Sequence, residues 1–345
     1  MKGGEAMRKG ICVAGNMIVD ILYPIEGWPN QGELVHINDG ISRATGGAVC
    51  NVIVDLATLD GALPLQAMGK IGEDAEGDLI LQRLGQHPNI DTANVLRDGI
   101  SAFCLVMNDA RAGQRTFFTY MGANGRFDEA DIDWDKVSAD IFHIGYILLL
   151  DALDKPDDAY GSKLARLLHH AQQRGLKTSI DVVSETSDRF TRLVPPAMRY
   201  TDYCIINEYE AQMTTGVALR GPKGELLREN LPAALEAMKR MGVSTWAVIH
   251  CPEGGFGMDE QGRFVQRASL RLPEGYIKGS TGAGDAFCAG VLYGAEQEWT
   301  LERAIDLGIA AAAASLSAAG ATEGMRPLDE VLALLEQYDR RQERD

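Results

Sequence analysis

Nowhere does the chain carry a run approaching the roughly 18 apolar residues of a membrane-spanning helix, which excludes that class. The opening Met1–Gly10 is polar and charged, without the apolar centre of a secretory signal, so a cytoplasmic protein is expected, with Met7 as an alternative start. Cysteine is sparse. Cys12, Cys50, Cys104, Cys204, Cys251 and Cys288 are scattered, lack the paired spacing of a zinc or redox motif, and are expected to be reduced and mostly buried. Positive charge is also short: 33 Lys and Arg against 49 Asp and Glu give a formal net charge of -16, which repels phosphate backbones and anionic lipid. Neither nucleic acid nor a membrane surface is therefore expected as a partner. Long polar tracts are missing, and 46% hydrophobic residues with 38 glycines read as a globular chain. The lysine and Ser/Thr of a Walker loop do not follow its glycines, and the dinucleotide spacing is not found in an N-terminal strand and helix unit.

What is present concentrates in Gly279-Ser280-Thr281-Gly282-Ala283-Gly284-Asp285-Ala286-Phe287, three glycines and an acid at the start of an apolar helix. The first amides of that helix lack partners one turn back, and unpaired amides at the positive end of a helix attract anions. Asp285, in that positive field, is expected to stay ionised and to accept the proton of a hydroxyl attacking a bound phosphate. An aspartate that only complements the helix dipole is the competing reading.

Elsewhere, short apolar strands alternate with helical segments. Strands are predicted at Ile11–Ala14, Leu65–Met68, Ile141–Ile144, Thr178–Val182, Tyr203–Ile206 and Trp246–Ile249, and helices at Gly47–Leu59, Leu164–Arg174 and Ala233–Met241. The alternation predicts an α/β fold with a mostly parallel sheet and helices on both faces. Its site should collect at strand ends, where Asp20, Gly145, Asp181, Asn207 and His250 fall. Val35–Ile37 reads as a further strand, Phe103–Met107 with Thr116–Tyr120 as a hairpin, and the charged Arg340–Asp345 as a frayed helix end. Asp20 could accept from two neighbouring hydroxyls of a ligand or be a turn residue. Gly46 and Gly47 permit close approach of backbone to a ligand, with Asn51 one turn into the next helix. Asn207 and Glu210 could equally cap a helix. His36, His143, His169 and His170 follow no metal or triad pattern.

Thr281-Gly282-Ala283-Gly284-Asp285 with Phe287 and Gly290, Gly46-Gly47-Ala48-Val49-Cys50-Asn51, Asn207-Glu208-Tyr209-Glu210 and the alanine-rich Ala304 to Ala321 together resemble the ribokinase-like (PfkB) carbohydrate kinases, from about residue 11 to 330. The resemblance implies Asp285 as catalytic base, with the amides of Gly282, Ala283 and Gly284 as anion hole. It further implies Asp20, Gly46, Gly47, Asn51 and Asn124 at the substrate, and Asn207, Glu210, His250 and Gly255 at the nucleotide, Glu210 serving magnesium through water. An α/β body over 11–17, 42–101 and 125–335 and a small β lid over 18–41 and 102–124 follow, the lid being a surface for homodimer contact. The implied activity is ATP- and Mg2+-dependent phosphorylation of a primary hydroxyl on a small sugar or sugar acid. A nucleoside kinase of the same superfamily, or an inactive sugar-binding regulator, are the alternatives.

The chain departs from the family pattern at several points. Pro252 enters the nucleotide segment, where it removes an amide. Gly279 stands where many members carry an aspartate for a monovalent cation, which argues against potassium activation. Ile18 replaces a polar sugar contact of ribokinases and Ala48 replaces their lysine, and both changes point away from ribose. The segment at Asp181 lacks the family's Asp-x-Asn form, and no role is assigned to it.

Overall fold

The computed structural model describes residues 9–109, 111–112 and 114–342; Met7 and the last three residues lie outside this range. Short runs of β-branched and apolar residues build one large sheet from β1 (Ile11–Gly15), β4 (Leu65–Ile71), β5 (Ile90–Arg97), β8 (Ile141–Ile147), β9 (Lys177–Val182), β10 (Tyr203–Asn207), β11 (Trp246–Cys251), β12 (Gly254–Met258) and β13 (Phe264–Ala268). Their order is β13-β12-β11-β10-β9-β8-β1-β4-β5. From β11 to β5 neighbouring strands are parallel, while β12 and β13 close one edge antiparallel. The β5 strand and the antiparallel edge were not anticipated.

Nine α-helices occur among the described residues: α1 (Gly47–Leu59), α2 (Ala75–Leu84), α3 (Lys163–Gln173), α4 (Phe190–Met198), α5 (Glu208–Thr215), α6 (Leu231–Met241), α7 (Ala283–Glu296), α8 (Leu301–Ser315) and α9 (Leu328–Gln337). Because successive strand residues face opposite sides, Ile11 and Val13 of β1 enter one core with α1, α7 and α8, and Cys12 and Ala14 enter the other with α3 to α6. Burial on both faces explains why β1 reads as an unbroken apolar run.

The small sheet has the order β3-β2-β6-β7, from β2 (Ile18–Ile25), β3 (Ser42–Gly46), β6 (Ala102–Asp109) and β7 (Gln114–Tyr120). The expected hairpin is β6 with β7. Four expectations need correction. Ser42–Gly46, placed in the body by the boundary at residue 42, pairs antiparallel with β2 and belongs to the small sheet. Val35–Ile37 makes only the single bridge of Ile37 to Ile25, since the polar stretch around it offers no buried face to pair. The alanine-rich helix likewise stops at Ser315, before the expected Ala321. The charged C-terminus is not frayed at its start: Arg340 pairs with Asp306 at 2.6 Å and donates to the Ala268 carbonyl at 2.8 Å.

The helix α7 carries the acid of the glycine motif, and its position is set by contact with α8. A Cβ on Gly290 would lie 2.8 Å from Gly308 Cα, so the two backbones touch where neither residue has a side chain. Gly290→Val is expected to destabilise the fold by about 1–3 kcal/mol through overpacking. Urea denaturation checks this, and an unchanged midpoint would contradict the close crossing.

Candidate active site

Gly282 opens α7 in the left-handed region at φ 81°, and a Cβ there would meet the Ala321 carbonyl oxygen at 2.5 Å. Both constraints require glycine. The first ladder bond runs from Ala286 N to Gly282 O at 2.8 Å, which leaves the Gly284 and Asp285 amides ahead of any carbonyl one turn back. Ala283 N donates across a turn to Ser280 O at a long 3.3 Å, so of the three expected anion-hole amides this one is already engaged.

Asp285 is buried, and two residues hold its carboxylate. Asn51 Nδ2, from α1, donates to Oδ2 at 2.9 Å, and the Tyr146 hydroxyl, from the end of β8, reaches Oδ1 and Oδ2 at 2.8 and 2.9 Å. Burial first, and the nearby Asp181 charge second, push the carboxyl up to about 7, while the two donors pull the other way. The expectation of an ionised aspartate at the helix start is thus qualified: burial and the Asp181 charge push its carboxyl up to about 7. Asn51 Oδ1 is buried without a partner.

Asp20 is half-buried on β2, and burial raises its pKa. A Cβ on Gly46 would lie 2.7 Å from its Oδ2, so glycine at 46 makes room for this carboxylate. Gly47, at φ 85°, sits where a Cβ would strike Asn16 Oδ1 at 2.4 Å. Asn124 does not take the expected substrate role. It is fully buried, its Oδ1 accepts from Met17 N at 3.2 Å and its Nδ2 donates to Met17 O at 2.7 Å, so its amide pins the passage from β1 to β2.

Asn207 and Glu210 form a reciprocal cap at the start of α5: Asn207 Oδ1 accepts from Glu210 N at 2.9 Å, and Glu210 Oε2 accepts from Asn207 N at 2.9 Å. Glu210 also accepts from Ser184 Oγ at 2.8 Å, and burial pushes its carboxyl up to about 8. Capping therefore holds, and it aims Glu210 into a cleft of about 260 Å³ that it shares with Tyr146, Asp181, Gly284 and Asp285.

His250 separates that cleft from a neighbouring one of about 650 Å³, walled by apolar residues including Leu272, Ile309, Ala313 and Leu316, a size suited to a small-molecule ligand. Its ring stacks on Phe287 at 4.8 Å between centroids, and desolvation holds it down at about 4, hence neutral. Pro252 lines the larger cleft. Gly255 does not. It is buried in β12, where a Cβ would meet Ile305 Cγ2 at 2.6 Å and the Phe287 ring at 3.0 Å, so its role is packing, and Gly254 lines the cleft in its place. Gly279 backs onto the Ala319 carbonyl oxygen, 2.8 Å from where its Cβ would be.

Sequence reasoning missed Tyr146 and gave Asp181 no role. The signal for both was position, one just past the predicted end of β8 and the other near the end of β9.

With this geometry in view, comparison with known proteins defines the class. The family model of pfkB family carbohydrate kinases matches residues 8–327, and the chain belongs to that family of sugar-phosphorylating transferases. It is 23% identical to a ribokinase of Arabidopsis thaliana, over 96% of this chain and 82% of that one, and 22% identical to a ribokinase of Staphylococcus aureus, over 94% and 99%. Among solved structures it resembles Arabidopsis thaliana ribokinase complexed with ribose and ATP, with a TM-score of 0.79 at 22% identity over 96% of this chain and 99% of that one. It also resembles a nucleoside kinase of Methanocaldococcus jannaschii, an archaeal member of the ribokinase family, at TM-score 0.74 and 16% identity over 96% and 100%. The fold is thus ribokinase-like. No helix among the described residues is long and apolar enough to cross a membrane.

The folded state holds the Asp285 proton more tightly than an unfolded chain, whose carboxyl titrates near 3.8, so this group's contribution to stability is greatest at low pH and is lost as pH rises through about 7. Asp285→Asn is therefore expected to be more stable than the parent at about pH 8, by roughly 1–3 kcal/mol, with the gap narrowing towards about pH 5. Urea denaturation at the two pH values tests this; a gap that widens on acidification would contradict the raised pKa.

Proposed function

We propose that this kinase transfers the γ-phosphoryl group of magnesium-ATP to a primary hydroxyl of a small sugar or sugar acid. The observation that carries the reading is the buried Asp285 carboxylate at the amide-rich start of α7, facing the cleft that Glu210 shares. The apolar 650 Å³ cleft beside Gly284 suits a purine, with neutral His250 between base and phosphates. Asp20, in the room left by Gly46, is the acceptor for two sugar hydroxyls, and Gly47 shapes the same turn.

In this reading Asp285 takes the hydroxyl proton as the sugar oxygen bonds to phosphorus and ADP leaves. The Tyr146 hydroxyl marks the direction from which a donor reaches the carboxylate, and with Asn51 it fixes the plane of that carboxylate. The Gly282 and Gly284 amides stabilise charge on the transferred group, Gly284's being free of a carbonyl one turn back, while Ala283 N is held by Ser280 O. The oxygen donors of Asn207 and Glu210 fit magnesium, which keeps much of its own water. A buried carboxyl held at about 8 is one whose ionised form a nearby dication would favour. Magnesium so held would neutralise charge on the ATP phosphates. Exposed Phe117 and Phe118 on β7, with the exposed Trp28 stacked on Phe118, suit a homodimer contact, and six free cysteines suit a reducing cytoplasm.

Asp285→Asn is expected to lower kcat by about 10²–10⁴ while remaining folded. The kcat/KM profile should fall below about pH 7, because the base works only deprotonated. Tyr146→Phe should move that acid limb upward, since it removes a bond that favours the anion. A coupled ADP assay across free sugars, sugar acids and nucleosides checks all three, and turnover of nucleosides alone would replace the acceptor class.

A further inference from the structure

Behind the cleft wall, three side chains from three elements converge. His143 on β8, Asp181 on β9 and Cys288 on α7 are all buried, and one ligand atom from each lies within 4.8 Å of the others. The histidine is fully enclosed, and its Nδ1 is 2.9 Å from Ser179 Oγ. Its Nε2 has no hydrogen-bond partner and stands 3.7 Å from Asp181 Oδ2. Asp181 Oδ1 is likewise buried without a partner. A protonated imidazole paired with a carboxylate would close to about 2.7–2.9 Å. At 3.7 Å Nε2 makes no hydrogen bond to Asp181, and in the tautomer in which Nδ1–H donates to Ser179 Oγ the ring presents a lone pair to the carboxylate, an arrangement that a cation between them relieves.

We propose that His143, Asp181 and Cys288 form a binding site for a thiophilic divalent transition metal, zinc in the first instance. The donor set decides the class of ion. One imidazole nitrogen, one carboxylate oxygen and one sulfur match the tetrahedral preferences of zinc, with bonds of about 2.0–2.3 Å, and are foreign to magnesium, which takes oxygen. Bonds of that length put ligand atoms about 3.3–3.8 Å apart, so the histidine and aspartate already stand at tetrahedral spacing. Ser179 supplies the outer hydrogen bond that fixes the tautomer and turns Nε2 toward the metal. Coordination displaces the Cys288 thiol proton to solvent, leaving a thiolate on the ion.

Glycine at 145 leaves room for the Asp181 carboxylate beside the cluster. Gly145 faces Asp181, whose Oδ1 would lie 2.3 Å from a Cβ at that position. Asp181 and Cys288 also line the cleft that contains Asp285 and Tyr146, so the fourth coordination position opens toward it. Three protein ligands and one open position would let the metal take water or an oxygen of a bound ligand. Spacing along the chain could not reveal this site, since its ligands are separated by 38 and 107 residues.

The test needs neither nucleotide nor sugar, so its failure would leave the kinase reading untouched. The full chain, stripped with a chelator, is titrated with Co2+ and then with Zn2+. The expected result is one equivalent of cobalt with the intense visible bands of tetrahedral Co(II) and a thiolate-to-cobalt charge-transfer band, displaced by zinc and not by magnesium. Cys288→Ser should abolish the charge-transfer band, and His143→Gln should weaken binding. Ser179→Ala, which spares all three ligands, should lower affinity by about 10–100-fold. Near-ultraviolet circular dichroism verifies that each variant is folded. Absence of saturable uptake, an octahedral spectrum without the thiolate band, or undiminished affinity in folded Cys288→Ser would each overturn the proposal.

Discussion

Desolvation of the Asp285 carboxylate is the constraint around which the site is arranged. At the start of a helix the group gains from aligned amide dipoles, and Asn51 and Tyr146 add two hydrogen bonds, yet burial beside Asp181 still drives its pKa upward. A fully solvated aspartate would be ionised at neutral pH but a weak base. One buried without donors would stay protonated. That balance holds it at about 7, the range in which the proposed base would be most effective.

The same low-dielectric cleft acts on other groups. Glu210 is raised by burial, His250 is lowered by it, and Cys288 is held protonated well above its ordinary range. Several acids and no lysine or arginine line the smaller cleft among the described residues. Such a pocket has its negative charge compensated by what enters it, which is why a dication with the phosphates, and a second cation behind Asp181, are both chemically coherent with the chain's overall acidic balance.

Much of the fold was readable because parallel strands buried on both faces are short and largely apolar, as β1, β8, β10 and β11 are, whereas β9 is buried but carries Thr178, Ser179 and Asp181. The edges were less readable. The strand β5 is half exposed and polar, and β12 is glycine-rich, Gly-Gly-Phe-Gly, so neither carries the pattern of an interior strand. Of the candidate residues, Asp285, Asn51, Asn207, Glu210 and His250 face the clefts or one another, because their motifs encode backbone geometry at strand ends and helix starts. Asn124 and Gly255 lie inside the protein instead, where a motif position alone does not distinguish a ligand contact from a packing requirement. Tyr146 escaped notice because a tyrosine after an apolar strand has no local signature; its partner lies 139 residues away.

The bond from Asn51 to Asp285 spans 234 residues, most of the chain. During synthesis from the N-terminus, α1 and the first strands exist long before α7 is made, and loop closure over such a separation is slow. The reactive centre is therefore among the last features the polypeptide can complete. Any product truncated before residue 285 would fold, where it folds at all, without the carboxylate proposed as base.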